Sequence, residues 1–148
     1  LTQLHNRRYC MEYMNRLKEE RNFKYTVICF DLNNLKTIND TYGHAKGDVL
    51  IRCAAEVIAE TFESQGIVAR MGGDEFVAVI GTADEDRLSS LMEQFLQNID
   101  RRNRAVKDLN MSIAYGYASG SQSDSDIEKV YQTADDRMYE KKKQMKNS

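Results

Sequence analysis

Proline is missing altogether from these 148 residues. No low-complexity segment, linker or repeat breaks the chain either, so nothing divides it into two domains. Cysteine is scarce and odd in number. Cys10, Cys29 and Cys53 are widely spaced and form no Cys-x-x-Cys, which argues against a disulfide framework or a thiolate metal site and reads as small core residues of a reduced, cytoplasmic protein. No apolar run reaches eighteen residues and no signal-peptide pattern is present, which argues against a membrane-spanning helix. An excess of one charge is lacking too: 21 basic residues stand against 23 acidic, so no strong field recruits nucleic acid or a membrane surface. What remains is one domain large enough to bury a real core. It opens abruptly at Leu1 and is expected to be a fragment of something longer.

The apolar residues that are present alternate between two periods. Tyr9, Tyr13, Met14 and Leu17 recur at helical spacing over 7–20, with Asn6 as the expected cap. Residues 25–30 form a continuous apolar run and predict a central strand buried on both faces, ending at Asp31. A short helix over about 34–40 is expected to close in a loop over 42–47, with Asp48 at the start of a long amphipathic helix through Leu50, Ile51, Ala54, Val57, Ile58 and Phe62. Two strands, 67–71 and 76–80, flank a Gly-rich hairpin turn. A helix over about 84–101 presents Leu88, Leu91, Met92, Phe95, Leu96 and Ile99. A strand over 111–118 follows, then a last helix from 127 to about 143 through Val130, Tyr131, Ala134, Met138 and Tyr139. This order predicts an α+β domain with a ferredoxin-like β-α-β-β-α-β core and helices packed against one sheet.

The stretch Arg70-Met71-Gly72-Gly73-Asp74-Glu75-Phe76 organises the rest. Paired glycines are expected to supply the positive φ of a tight turn. Asp74 and Glu75 begin the second strand, where period-2 alternation points them to opposite sides. In a ferredoxin-like sheet the 25–30 strand is expected to neighbour the first strand of this hairpin. That brings Asp31 close to the turn, so that Asp31, Asp74 and Glu75 converge. Three carboxylates repel one another unless a cation neutralises them. Hard oxygen ligands suit Mg²⁺, and with Lys36 nearby this is the equipment of phosphoryl or nucleotidyl transfer.

Asp31-Leu-Asn-Asn-Leu-Lys36-Thr-Ile-Asn39-Asp40, Gly43-His44, Gly47-Asp48 and Arg70-Met-Gly-Gly-Asp-Glu-Phe76 together closely resemble the GGDEF domain of diguanylate cyclases. So do the opening Leu1-Thr-Gln-Leu-His-Asn6-Arg7 and the closing Ala134-Asp135, Tyr139 and Lys142. The resemblance spans nearly the whole chain. It implies a nucleotidyl cyclase-like fold and a reaction in which two GTP molecules, one in each of two facing domains, become cyclic di-GMP and two pyrophosphates. It further implies that Asp31, the carbonyl of Leu32, Asp74 and Glu75 hold two Mg²⁺ ions, with Mn²⁺ able to substitute. Asp74 would help to deprotonate the ribose 3′-hydroxyl and Lys36 would neutralise charge on phosphate. Asn39 and Asp48 would read guanine, His44 would shape the same pocket, and Lys142 and Lys146 would grip the triphosphate. A homodimer and an upstream sensory or regulatory domain, on a cytosolic or membrane-anchored protein, are the implied partners.

Taken singly, several of these residues have plainer readings. Asp48 is also a good N-cap, Asn39-Asp40 a helix terminus, His44 an exposed loop residue, and the lysines of 141–146 a solvated helix end. The chain departs from the family pattern at Gln3 for Gly, Asn33 for Asp, and Met145-Lys146 for Gly-Arg. Glu63 and Gly66 occupy the Arg and Asp positions of a product-binding site found in many members. The altered tail keeps open a non-catalytic GTP- or cyclic di-GMP-binding regulatory module.

Overall fold

The computed structural model describes residues 4–20, 23–121 and 126–146, so Leu1, Thr2 and Gln3 of the opening motif lie outside the described residues. Asn6 starts the first helix as expected: its Oδ1 accepts from the Tyr9 N–H at 2.9 Å, capping α1 (Arg7–Leu17). Immediately before it, the two-residue strand β1 (His5–Asn6) pairs parallel with a strand of the hairpin. The apolar run forms β2 (Lys24–Leu32), two residues longer at its end than expected, so Asp31 lies inside the strand. Next come α2 (Leu35–Tyr42), α3 (His44–Phe62) and a 3₁₀ turn (Glu63–Gln65). The hairpin is β3 (Gly66–Arg70) and β4 (Glu75–Ile80), followed by α4 (Glu85–Ala105), β5 (Ile113–Ser121) and α5 (Ile127–Lys146).

The sheet runs β1-β3-β4-β2-β5. All pairs except β1 with β3 are antiparallel, and without β1 the order is the ferredoxin-like one. The neighbour of β2 is therefore the second hairpin strand, β4, and not the first. The correction brings the turn closer, since Asp31 is paired directly with Glu75.

Alternation along β2 explains why its run is continuous. Ile28, Phe30 and Leu32 pack on one face with α3 and α4, where Phe30, Phe62 and Phe95 form a ring cluster. Tyr25, Val27 and Cys29 pack on the other face with Cys10 and Met14 of α1 and Val130, Ala134 and Met138 of α5. Both faces are covered, so neither needs polar residues. Cys10, Cys29 and Cys53 are all buried and free. Burial pushes the Cys10 thiol up to about 11 and the Cys29 thiol upward as well, which keeps both as inert packing groups.

Three helix expectations are corrected. The 42–47 loop does not form. Gly43 alone, at φ 91° and ψ 164°, joins α2 to α3, a conformation that only glycine adopts without strain, and α3 starts at His44. Asp48 is consequently the fifth residue of α3 and not its cap. Leu96 and Tyr139 are exposed, while Asn98 is buried in place of Leu96 and donates to Thr61 Oγ1 at 2.9 Å across the α3–α4 interface. A satisfied amide is tolerated there, so hydrophobicity alone misreads that face.

Candidate functional site

The parity that buries Val27 and Cys29 against α5 carries Asp31 to the same side, 5 % exposed. Glu75, its partner in β4, shares the parity of Val77 and Val79 and takes that side too. Asp74 lies in the turn, before the strand begins, so the expectation that Asp74 and Glu75 point apart is overturned. The N–H of Leu32 donates to the Asp74 carbonyl at 2.8 Å, which ties the turn to the end of β2. The result is a cluster in which one carboxylate oxygen from each of Asp31, Asp74 and Glu75 lies within 4.8 Å of the others. Two side chains to which the sequence assigned no role, Arg70 and Asn33, hold the surroundings. Arg70 donates to the carbonyls of Gly72 at 3.0 Å and Gly73 at 2.9 Å. Asn33 donates to Ser112 Oγ at 2.9 Å and to Met145 Sδ at 3.4 Å. A hairpin arginine two residues before a pair of glycines is the signal that could have identified Arg70.

The glycines of the turn do not have the expected positive φ. Among the described residues, Gly43 is the glycine that does. A Cβ at Gly73 would meet nothing within 4 Å, and one at Gly72 would meet Glu75 Oε2 at 3.7 Å. Neither a left-handed backbone nor packing requires glycine at these two positions.

Beside the cluster opens a cleft of about 340 Å³, lined by Leu32, Lys36, Asp74, Lys142 and Lys146 with Asn33, Ser112 and Met145. Its size is at the lower end for small-molecule sites. Lys142 continues the stripe Ala134–Met138 by one helical turn, which seats it over the end of β2 with its ammonium 2.8 Å from Asp31 Oδ1. The structure thus gives Lys142 a carboxylate partner that the sequence did not suggest.

Asn39, His44 and Asp48 lie away from this cleft, on α2 and α3. Asn39 Oδ1 is buried and has no hydrogen-bond partner. A Cβ built at Gly47 would collide with it, so Gly47 is the space that the Asn39 amide uses. Asp48, next in sequence, is half-buried and has no capping role, and His44 is exposed at the start of α3.

The carboxylate cluster fits a hard cation. Its donors are all oxygens, and burial, reinforced by Asp74 and Glu75, raises Asp31 to about 6 against the lowering effect of Lys142. The folded chain therefore holds a proton on Asp31 between the ordinary value of 3.8 and about 6 that the unfolded chain has released. The sign follows: Asp31 is tolerated without cost at low pH, and its ionisation destabilises the fold as pH rises through that window. Asp31→Asn is expected to raise stability at pH 7.5 in a chelator by about 1–3 kcal/mol, with the gain fading towards pH 4. Urea denaturation at several pH values checks this. A less stable variant at pH 7.5 would show instead that the pair with Lys142 outweighs the burial.

The family model for the GGDEF domain of diguanylate cyclases matches residues 1–148. The signaling protein YkoW of Bacillus subtilis is 31% identical over 99% of the chain, which covers 19% of that protein. Diguanylate cyclase DosC of Escherichia coli is 29% identical over 99% of the chain, covering 33% of its own length. The chain thus spans about a third or less of these curated relatives. Among solved structures, the GGDEF domain of DgcB from Caulobacter crescentus, in complex with c-di-GMP, superposes with a TM-score of 0.83 at 25% identity, over 96% of this chain and 87% of that one. Among the described residues no helix is long and apolar enough to cross a membrane.

Proposed function

The chain belongs to the GGDEF family of diguanylate cyclases, and from that premise we propose that it condenses two GTP molecules into cyclic di-GMP and two pyrophosphates. The observation that carries this reading is the convergence of Asp31, Asp74 and Glu75 beside a cleft lined by three lysines. Those carboxylates, with the Leu32 carbonyl, would hold two Mg²⁺ ions. When bound, the metal supplies charge neutralisation on the triphosphate and lowers the pKa of a coordinated hydroxyl.

The chain's own residues do the rest. Asp74, at the turn and half-buried, would help to accept the 3′-hydroxyl proton as that oxygen attacks the α-phosphate of the other GTP. Lys36 and Lys146 present ammonium groups to the phosphates in the same cleft. The first turn of α2 adds backbone N–H groups with no intrahelical acceptor. Asn39 and Asp48 take the guanine at the α2–α3 face, and His44 borders them. Each protomer holds one GTP, so a second copy must face it. The rate per protomer should therefore rise with protein concentration, measured as pyrophosphate release. A rate per protomer independent of concentration, in a chain shown to be monomeric, would contradict the two-domain reading.

A regulatory, non-catalytic module is the second reading. It is favoured by Met145 and Lys146, since lysine keeps the charge but loses the two-pronged grip of arginine. Feedback by product is a separate matter. Glu63 is exposed, and a Cβ at Gly66 would collide with the Val79 carbonyl, which explains the glycine on packing grounds. A negative charge where an anion must dock, beside a position with no side chain, disfavours a cyclic di-GMP site on this face. Calorimetry with the active site blocked is expected to show no saturable micromolar binding there. Binding that disappears on changing Glu63 would refute this.

A further inference from the structure

The ion pair between Lys142 and Asp31 is mostly withdrawn from water, its side chains 30% and 7% exposed. It is produced by the fold: the buried stripe of α5 and the inward face of β2 meet where both residues sit. Asp31 Oδ1 is buried and has no well-angled hydrogen bond. Opposite it stand Asp74 and Glu75, so one ammonium lies at the edge of three convergent carboxylates. That ammonium holds one oxygen of the acid that a divalent cation would need, and it also lines the cleft that a triphosphate would fill.

Resting on the metal and nucleotide reading above, we propose that Lys142 is a tethered counter-ion that exchanges partners. Without ligands, its ammonium balances Asp31. On loading, the cation takes Asp31 and the triphosphate takes the ammonium. Neither charge is then left buried and unpaired in the empty or the fully loaded site, a state that is costly in a desolvated pair. Cation alone must displace Lys142 with no new partner for it, whereas cation with nucleotide need not. Lys142 therefore couples the two ligands, and the coupling is reciprocal.

Mn²⁺ binding to this chain, read from the signal of free Mn²⁺ by electron paramagnetic resonance, tests the exchange. Lys142→Met is expected to tighten Mn²⁺ binding without nucleotide about tenfold and to reduce by the same factor the enhancement produced by an unreactive α,β-methylene analogue of GTP. Lys141→Met removes the same charge one residue away, from an ammonium 5.6 Å from the centre of the Tyr115 ring, and should change Mn²⁺ affinity less than about twofold. Should Lys142→Met not fold, the unaltered protein serves. Acylation of Lys142 by acetic anhydride, followed by mass spectrometry, should speed up when Mn²⁺ is added alone. Mn²⁺ binding no tighter in the variant, or Lys142 acylation unmoved by Mn²⁺, overturns the exchange while leaving the metal site standing. No Mn²⁺ binding to any variant, with or without the analogue, overturns the metal reading and the exchange with it.

Discussion

Asp74→Ala and Glu75→Ala are each expected to lower cyclic di-GMP formation by about 10²–10³-fold or more, the scale of losing one group of an electrostatic site that stabilises the transition state. The fold should survive. The bond that ties the turn to β2 runs from the Leu32 N–H to the Asp74 carbonyl, a backbone group that alanine retains. Arg70 likewise holds the turn through the Gly72 and Gly73 carbonyls. Removing one of three carboxylates whose oxygens lie within 4.8 Å of one another also relieves repulsion, so the melting temperature without metal should be unchanged or higher. Turnover and thermal melting measured on the same preparations check both halves. Near-normal turnover in either variant would contradict the two-metal assignment.

The second large effect concerns the base. Guanine presents N1–H and an exocyclic amine side by side, which one carboxylate accepts together. Adenine offers a lone pair at N1 instead. With Asp48 half-buried on α3 and Asn39 Oδ1 buried without a partner beside Gly47, ATP would leave desolvated acceptors unpaired. GTP should therefore bind at least about 10²-fold more tightly than ATP. Asp48→Ala should remove most of that preference. Gly47→Ala tests the same pocket without touching a charge, because its Cβ displaces the Asn39 amide, and it should weaken GTP binding as well. Equal calorimetric affinities for the two nucleotides in the unaltered chain would overturn the assignment.

Much of this was legible in the residues themselves. The run in β2 required a strand covered on both faces, and α1 and α5 on one side with α3 and α4 on the other are that cover. The three carboxylates were expected to meet, and they do, although through β4 and not β3. What escaped was information carried by tertiary contact. Asp74 looked like the first residue of a strand, but the backbone bond from Leu32 holds it in the turn, and pleat alternation does not reach it. A single glycine, Gly43, replaced a six-residue loop because its positive φ lets two helices abut. The partner of Lys142 was invisible for a similar reason. Lys142 and Lys146, four apart, share a face of any helix that holds them, while only the packing of α5 over β2 brings Lys142 onto Asp31.

The central claim is most directly tested by supplying GTP and Mg²⁺ to the chain fused to a dimerising segment and separating the nucleotides by chromatography. The account predicts cyclic di-GMP and pyrophosphate in a ratio of one to two, absent from the Asp74→Ala control. GTP bound and recovered unchanged from a chain shown to be dimeric would contradict it and leave a regulatory nucleotide-binding module in its place.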